Sequence, residues 1–211
     1  MQRVTILSLS VAAAVGIAIG TVFHARLGVG VASAKPAAAP AVPPLHGQAT
    51  WPAGRRPAPA FALRDQRGRR VSLRSLRGRP VVLMFEDSLC RQACPLVGKM
   101  TAAAVRRVPA ALRPQIVVVS VDPAGDTPHT VAAAVRKWHL PGTVSWLLGT
   151  RSTLRPVWRA YGITVIPVAG DIVHSTALYV IDKHGDERAG FLVPFLPSLL
   201  ADDLDRLGRA A

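Results

Sequence analysis

The chain has 211 residues, half of them apolar, with 26 lysines and arginines against 12 acidic residues and a formal charge of +14. That much apolar sequence supports one core of ordinary size, and aromatics at 5% leave too few rings for base-stacking platforms, so nucleic-acid binding is set aside. The excess charge, with nine arginines between Arg55 and Arg79, reads as a solvated arginine-biased surface, and attraction to anionic lipid or an acidic partner face is the second reading.

Val4 to Phe23 runs twenty residues without a charge, after Met1-Gln2-Arg3. At about 1.5 Å per residue such a helix reaches roughly 30 Å, the thickness of the hydrocarbon core. Ala32-Ser33-Ala34 follows, the small-residue pattern of signal cleavage. Residues 1–34 are therefore expected to be a membrane anchor or a signal peptide. A single-span anchor is favoured because the uncharged run exceeds the usual signal core. Either way the rest is expected to be exported, to the outer face of the cytoplasmic membrane. No cysteine lies near residue 34, which excludes a lipid-modified cysteine.

Residues 35–59 are dense in proline and alanine, with neither helical nor strand period, and read as a semi-rigid extended linker. Residues 60–208 read as one domain. Phe61 to Leu73 places two short alternating segments around Gly68, the pattern of a β-hairpin. Pro80-Val-Val-Leu-Met-Phe85 is a buried central strand, and Leu96 to Arg107 has the apolar spacing of an amphipathic helix.

Between them lie Cys90 and Cys94, the chain's two cysteines, with Pro95 directly after. Pro95 suits the first turn of a helix, which puts Cys94 at the N-cap or first helical position, where free amides and the dipole favour a thiolate. As a structural disulfide, a loop this short would restrict the unfolded chain by only roughly 2 kcal/mol, against roughly 3 for fifteen residues. A redox or metal role is the better reading. Strand, cysteine loop and helix together resemble the opening of a thioredoxin-type fold.

Gln115 to Val121 is a further buried strand, and Asp126 or Thr127 can cap a helix from Pro128 to Trp138. Val144 to Leu148 is a fourth strand, and Thr150 to Tyr161 a helix ending at Gly162. Thr176 to Ile181 and Arg188 to Val193 flank the turn Asp182-Lys-His-Gly185-Asp and read as a second hairpin. A helix over about Leu196 to Leu207 closes the chain. Strands alternating with helices predict an α/β domain with a partly parallel sheet.

The ordered pieces Phe61-x-Leu-x-Asp65-Gln-x-Gly68-x-x-Val71-Ser-Leu, Leu76-Arg-Gly78-Arg-Pro, Cys90-x-x-x-Cys94-Pro95, Val119-Ser-Val-Asp122-Pro-x-x-Asp126-Thr127-Pro128, Ala160-Tyr-Gly162 and His174-Ser-Thr resemble the Sco/SenC family, over nearly all of residues 60–208. The resemblance implies a thioredoxin-like fold with an N-terminal β-hairpin and an additional hairpin before the C-terminal helix. It further implies a membrane-tethered copper protein that helps load the binuclear copper centre of cytochrome c oxidase. Its ligands map to Cys90, Cys94 and His174. Its expected partners are the copper-site subunit of a terminal oxidase and a copper donor protein or thiol reductant. Two thiolates and an imidazole form a soft set appropriate to Cu(I), and an additional ligand would accommodate Cu(II). Structural zinc would want four protein ligands, and there is no third cysteine.

The cysteine loop departs from the family pattern. Glu86-Asp87-Ser88-Leu89 stands in place of an aromatic-Gly-Tyr-Thr lead-in, Arg91 in place of a proline, and Gln92 in place of an acid. Arg91 would lower the neighbouring thiol pKa and the two acids would raise it. Two function classes stay in view. A metallochaperone needs Cys90, Cys94 and His174, whereas a thiol-disulfide oxidoreductase needs only the cysteine pair. Peroxidase chemistry would want a threonine three residues before a nucleophilic cysteine, where this chain has Arg91 and Asp87.

Overall fold

The computed structural model describes residues 44–210. The centre of the sheet is β4 (Val81–Glu86), buried at all six positions, and β5 (Gln115–Ser120), paired in parallel from Val81↔Gln115 to Glu86↔Ser120. Both are near-continuous apolar runs because helices cover both faces of a central parallel pair. β6 (Ser145–Leu148) lies parallel to β5. Beyond it β2 (Ala62–Asp65) and β3 (Arg70–Ser72) form the expected antiparallel hairpin, turned at Gly68 with φ 76°.

On the other side β9 (Ala177–Ile181) runs antiparallel to β4, and β10 (Glu187–Leu192) antiparallel to β9. Their turn is held by the Asp182 carboxylate, which accepts from the amides of His184 and Asp186. With β1 (Ala49–Thr50) on β10, the order of the eight-stranded sheet is β1-β10-β9-β4-β5-β6-β2-β3.

Alternation along β4 sends side chains to two cores. Val82 and Met84 pack with Val97 and Val105 of α1 (Ala93–Arg107), Val131 of α2 (Pro128–Lys137), and Leu200 and Leu204 of α4 (Pro197–Arg209). Leu83 and Phe85 pack with Val117, Val119, and Leu154 and Trp158 of α3 (Arg151–Ala160). Thr127 caps α2 through a reciprocal pair with Thr130, as its place before Pro128 predicts. Gly162, at φ 68°, follows the end of α3.

Three features differ from the sequence reading. Residues 44–59, expected to be free linker, belong to the folded body. β1 adds an edge to the sheet, the Asp203 carboxylate accepts from both the amide and Nδ1 of His46, and Arg56 pairs with Glu187. Tertiary contacts place them, so the absence of local period gave no sign of it. Second, β7 (Val165–Val168) and β8 (Asp171–His174) form an antiparallel hairpin of their own. Pro167 and largely exposed side chains hide the strand pattern there. Third, α1 starts at Ala93, so Cys94 is its second residue and Gln92 its N-cap.

The anchor or signal expected within residues 1–34 lies outside the described residues. Among those described, no helix is long and apolar enough to cross a membrane.

Candidate metal centre

The site forms where β4 ends, α1 begins and the β7–β8 hairpin closes over them. Gln92 makes no side-chain cap bond, which leaves the first amides of α1 free. The Cys90 sulfur takes up one of them, accepting from the Cys94 amide at 3.4 Å. A thiolate suits that position because free amides and the helix dipole both favour negative charge.

His174 arrives from the end of β8, eighty positions along the chain from Cys94. Its hairpin is pinned at the base, where the Ser175 amide donates to the Thr164 carbonyl and the Thr164 amide to the Ser175 hydroxyl. The ring's Nδ1 lies 3.0 Å from the Ser175 carbonyl, which only accepts, so Nδ1 carries the proton. In the neutral ring this leaves the Nε2 lone pair 3.5 Å from the Cys94 sulfur. A backbone carbonyl that fixes the tautomer in this way is the usual second partner of a metal-binding imidazole.

The ligand atoms of Glu86, Cys94 and His174 all lie within 4.8 Å of one another. Two of the sequence-predicted residues, Cys94 and His174, thus meet. Cys90 stands outside that three-way cluster, partly exposed, and joins it through Cys94. Both cysteines are free thiols. Glu86 was missed as a site member. Its signal was available: an acid ending an unbroken apolar strand, in alternation with Val82 and Met84, must face the side on which α1 packs.

The loop between Glu86 and Cys90 is tied down by two aspartates. Asp126 accepts from the Ser88 amide at 2.8 Å and from the Trp146 indole at 3.1 Å. Asp87 accepts from the Leu89 amide at 2.7 Å. The Val-Asp-Pro-x-x-Asp-Thr-Pro segment is therefore structural support for the cysteine loop.

The electrostatics of the two thiols diverge. A hydrogen bond from the Cys94 thiol, with help from the Cys94 and Gln92 amides and nearby His174, outweighs burial and brings the Cys90 thiol down to about 5. That same hydrogen bond, together with burial and the Glu86 carboxylate, pushes the Cys94 thiol far up. One proton stays between them, on Cys94. Burial holds the Glu86 carboxyl well above its usual range against a hydrogen bond with Cys94, and burial with the charge of Asp126 raises Asp87 to about 6.

The model of the SCO1/SenC family matches residues 52–207. The chain belongs to the SCO1/SenC family. A Stutzerimonas stutzeri protein named for copper binding is 28% identical over 156 residues, covering 71% of this chain and 74% of that protein. The copper-bound structure of Bradyrhizobium japonicum ScoI is 26% identical with a TM-score of 0.60, covering 71% of this chain and 98% of that one. The copper-bound Arabidopsis thaliana ScoI is 23% identical with a TM-score of 0.66, covering 72% and 98%. These SCO1/SenC structures share the thioredoxin-like α/β fold described above. Within the family frame, the CxxxCP pair occupies the strand-to-helix junction and the histidine comes in on a hairpin after α3.

The donor set is suited to a soft, thiophilic ion: a thiol already poised as thiolate and a buried thiol beside an imidazole lone pair, with Glu86 Oε2 nearby, buried and without a hydrogen-bond partner. Zinc would compete for such ligands but normally wants four of them in a structural site.

Proposed function

We propose that this SCO1/SenC protein is an exported copper metallochaperone, whose cargo is held by Cys90, Cys94 and His174 and passed on for assembly of the binuclear copper centre of cytochrome c oxidase. The single observation that carries the reading is the approach of Cys94 Sγ to His174 Nε2 at 3.5 Å, with Cys90 Sγ on the Cys94 amide. Family membership and the copper-bound ScoI relatives support the choice of metal.

Each residue has a distinct task. Cys90 offers a thiolate at neutral pH and is partly exposed, which suits it to be the first to meet an incoming ion and the last to release it. Cys94 is buried and holds its proton, so loading the site must expel that proton. His174 presents Nε2 in a fixed orientation because Ser175 holds Nδ1. Two sulfurs and one nitrogen match Cu(I). Transfer to a partner by exchange of one ligand at a time needs an exposed edge, and Cys90 is that edge. The destination is the copper-site subunit of a terminal oxidase, the supplier is a copper donor protein, and a thiol reductant keeps the pair reduced. The N-terminal segment tethers the domain to the outer face of the cytoplasmic membrane.

A second reading, disulfide reduction of the partner's cysteines before metallation, is favoured by the asymmetry of the two thiols. The Cys90 thiolate would attack a partner disulfide and release one partner thiolate. Cys94 would then attack the Cys90 sulfur, releasing the second, so that the partner is reduced and the pair oxidised.

The deciding experiment is an anaerobic Cu(I) titration of reduced Pro43–Ala211 against a chromogenic competitor, wild type beside His174→Ala. One tightly bound ion, weakened at least about tenfold in the variant, is expected if the imidazole contributes a ligand bond of about 1.4 kcal/mol or more. Equal affinities would remove His174 from the site and leave the exchange reading in its place.

A further inference from the structure

Seven acidic side chains are buried among the described residues, and six of them are satisfied in an ordinary way. Asp65, Asp182, Glu187 and Asp203 pair with Arg69, Arg188, Arg56 and His46. Asp87 and Asp126 accept backbone amides. Glu86 differs from all of them. It is 3% exposed, takes part in no ion pair among the described residues, and its Oε2 is buried without a partner. A buried carboxyl outside any ion pair either keeps its proton or gives it up to hold a metal.

Its position is rigid. The Glu86 backbone is paired with Ser120 in the parallel register and its carbonyl accepts from the Val121 amide at 3.0 Å. The carboxylate therefore stays at the end of β4, on the side of the sheet where Cys94 and His174 lie, with its oxygen inside the 4.8 Å cluster they form. One oxygen of this carboxyl lacks a partner, the group shares its cluster with a thiol and an imidazole, and a cation bound there would satisfy it.

We propose that Glu86 is an additional ligand of the copper site, whose carboxylate oxygen joins the sulfur and imidazole donors and shifts the site's preference toward Cu(II). This rests on the copper reading above. A carboxylate is a harder donor than a thiolate or imidazole and suits Cu(II), with its higher coordination number, better than Cu(I). Removing it should therefore weaken Cu(II) selectively.

The test uses the full chain loaded with one equivalent of Cu(II), wild type beside Glu86→Gln and His174→Ala. Glu86→Gln is expected to lower Cu(II) affinity at least about tenfold and Cu(I) affinity less than about threefold, which raises the copper potential by about 30 mV or more at about 59 mV per tenfold net change. The g and hyperfine values of the Cu(II) spectrum should change with it. In wild-type protein carrying glutamate labelled with carbon-13 at the carboxyl, pulsed electron-nuclear resonance is expected to show a coupling to copper that Glu86→Gln abolishes; this does not depend on the variant's stability. An absent coupling together with unchanged Cu(II) affinity would overturn the role of Glu86. If His174→Ala still weakens copper in that case, the three-ligand site stands and only Glu86 falls; if His174→Ala is also silent, the copper reading itself has failed.

Discussion

The Ser88 amide donates to the Asp126 carboxylate at 2.8 Å, linking the loop that carries Cys90 to the segment that opens α2. The same carboxylate accepts from the buried Trp146 indole at 3.1 Å, so one side chain joins the cysteine loop to the core. Burial raises the Asp126 carboxyl, opposed by the hydrogen bonds from the Ser88 amide and the Trp146 indole. In Asp126→Ala, both donors lose their acceptor, and a loss of about 1–3 kcal/mol in urea denaturation is expected. Amide exchange at Ser88 should accelerate and Cu(I) affinity fall. Unchanged exchange at Ser88 would show that the loop is held by other contacts.

Cys90 and Cys94 should separate cleanly in an alkylation profile. With the Cys90 thiol brought down to about 5, its reaction with iodoacetamide should stay nearly constant from pH 9 to pH 6 and halve near pH 5. Cys94, buried and with its thiol pushed far up, should remain unmodified throughout that range. Cys94→Ala removes the hydrogen bond that contributes most to the Cys90 shift, so the Cys90 midpoint should move upward. Mass spectrometry of the modified peptide reads each site separately. A Cys90 midpoint near 9 in the wild type would mean that the helix start and the second thiol do not stabilise the thiolate.

Asp87 makes the stability of the fold depend on pH. Its folded carboxyl is raised from 3.8 to about 6, first by burial and then by the charges of Asp126 and Asp122. A raised acid binds more protons in the folded state than in the unfolded one between those two values, so stability falls as pH rises through that window. The cost is complete above about pH 6 and absent below about pH 4. Asp87→Asn keeps an acceptor for the Leu89 amide and removes the charge. At pH 7.5 it should stabilise the metal-free protein by about 1–2 kcal/mol, a gain that vanishes near pH 4. Equal gains at both values would trace the effect to packing.

Gly98 on α1 sits directly against Trp138. A Cβ there would lie 2.6 Å from the Trp138 ring and 2.9 Å from its own Cβ. Trp138 is fully buried and touches Trp146 with ring centroids 5.3 Å apart, so it has nowhere to move. Gly98→Ala should therefore destabilise by about 1–3 kcal/mol through overpacking, although alanine is the better helix former. Denaturant midpoints measure it, and a stabilised variant would show that α1 and α2 can separate at this contact.

A domain boundary drawn at residue 60 should fail in solution. Starting there removes β1, the Arg56 partner of buried Glu187, and both His46 donors to the fully buried Asp203 carboxylate. Leaving two buried carboxylates unpaired costs about 3–5 kcal/mol for each broken pair, a large share of a domain's stability. Thermal unfolding of residues 60–211 beside residues 43–211 checks it, and equal midpoints would show that residues 44–59 are only draped on the surface.

Local pattern determined much of this protein. The alternation of Phe61–Leu73, the apolar runs of β4 and β5, the capping of α2 at Thr127 and the turn at Gly185 each report a burial face or backbone angle from a few neighbouring residues. The CxxxCP pair could be placed at a strand-to-helix junction for the same reason, within one or two positions. Tertiary structure decided what no short window contains. The meeting of Cys94 with His174 spans eighty positions and depends on a hairpin whose own strands are exposed and weakly patterned. The inclusion of residues 44–59 depends on an edge strand of two residues and on Asp203, more than 150 positions away. Glu86, in sequence one of the acids leading into the cysteine loop, is buried beside Cys94 and His174 only once packing closes on both sides. Periodicity records which side of an element faces inward, but which distant group waits there is set only when the layers close.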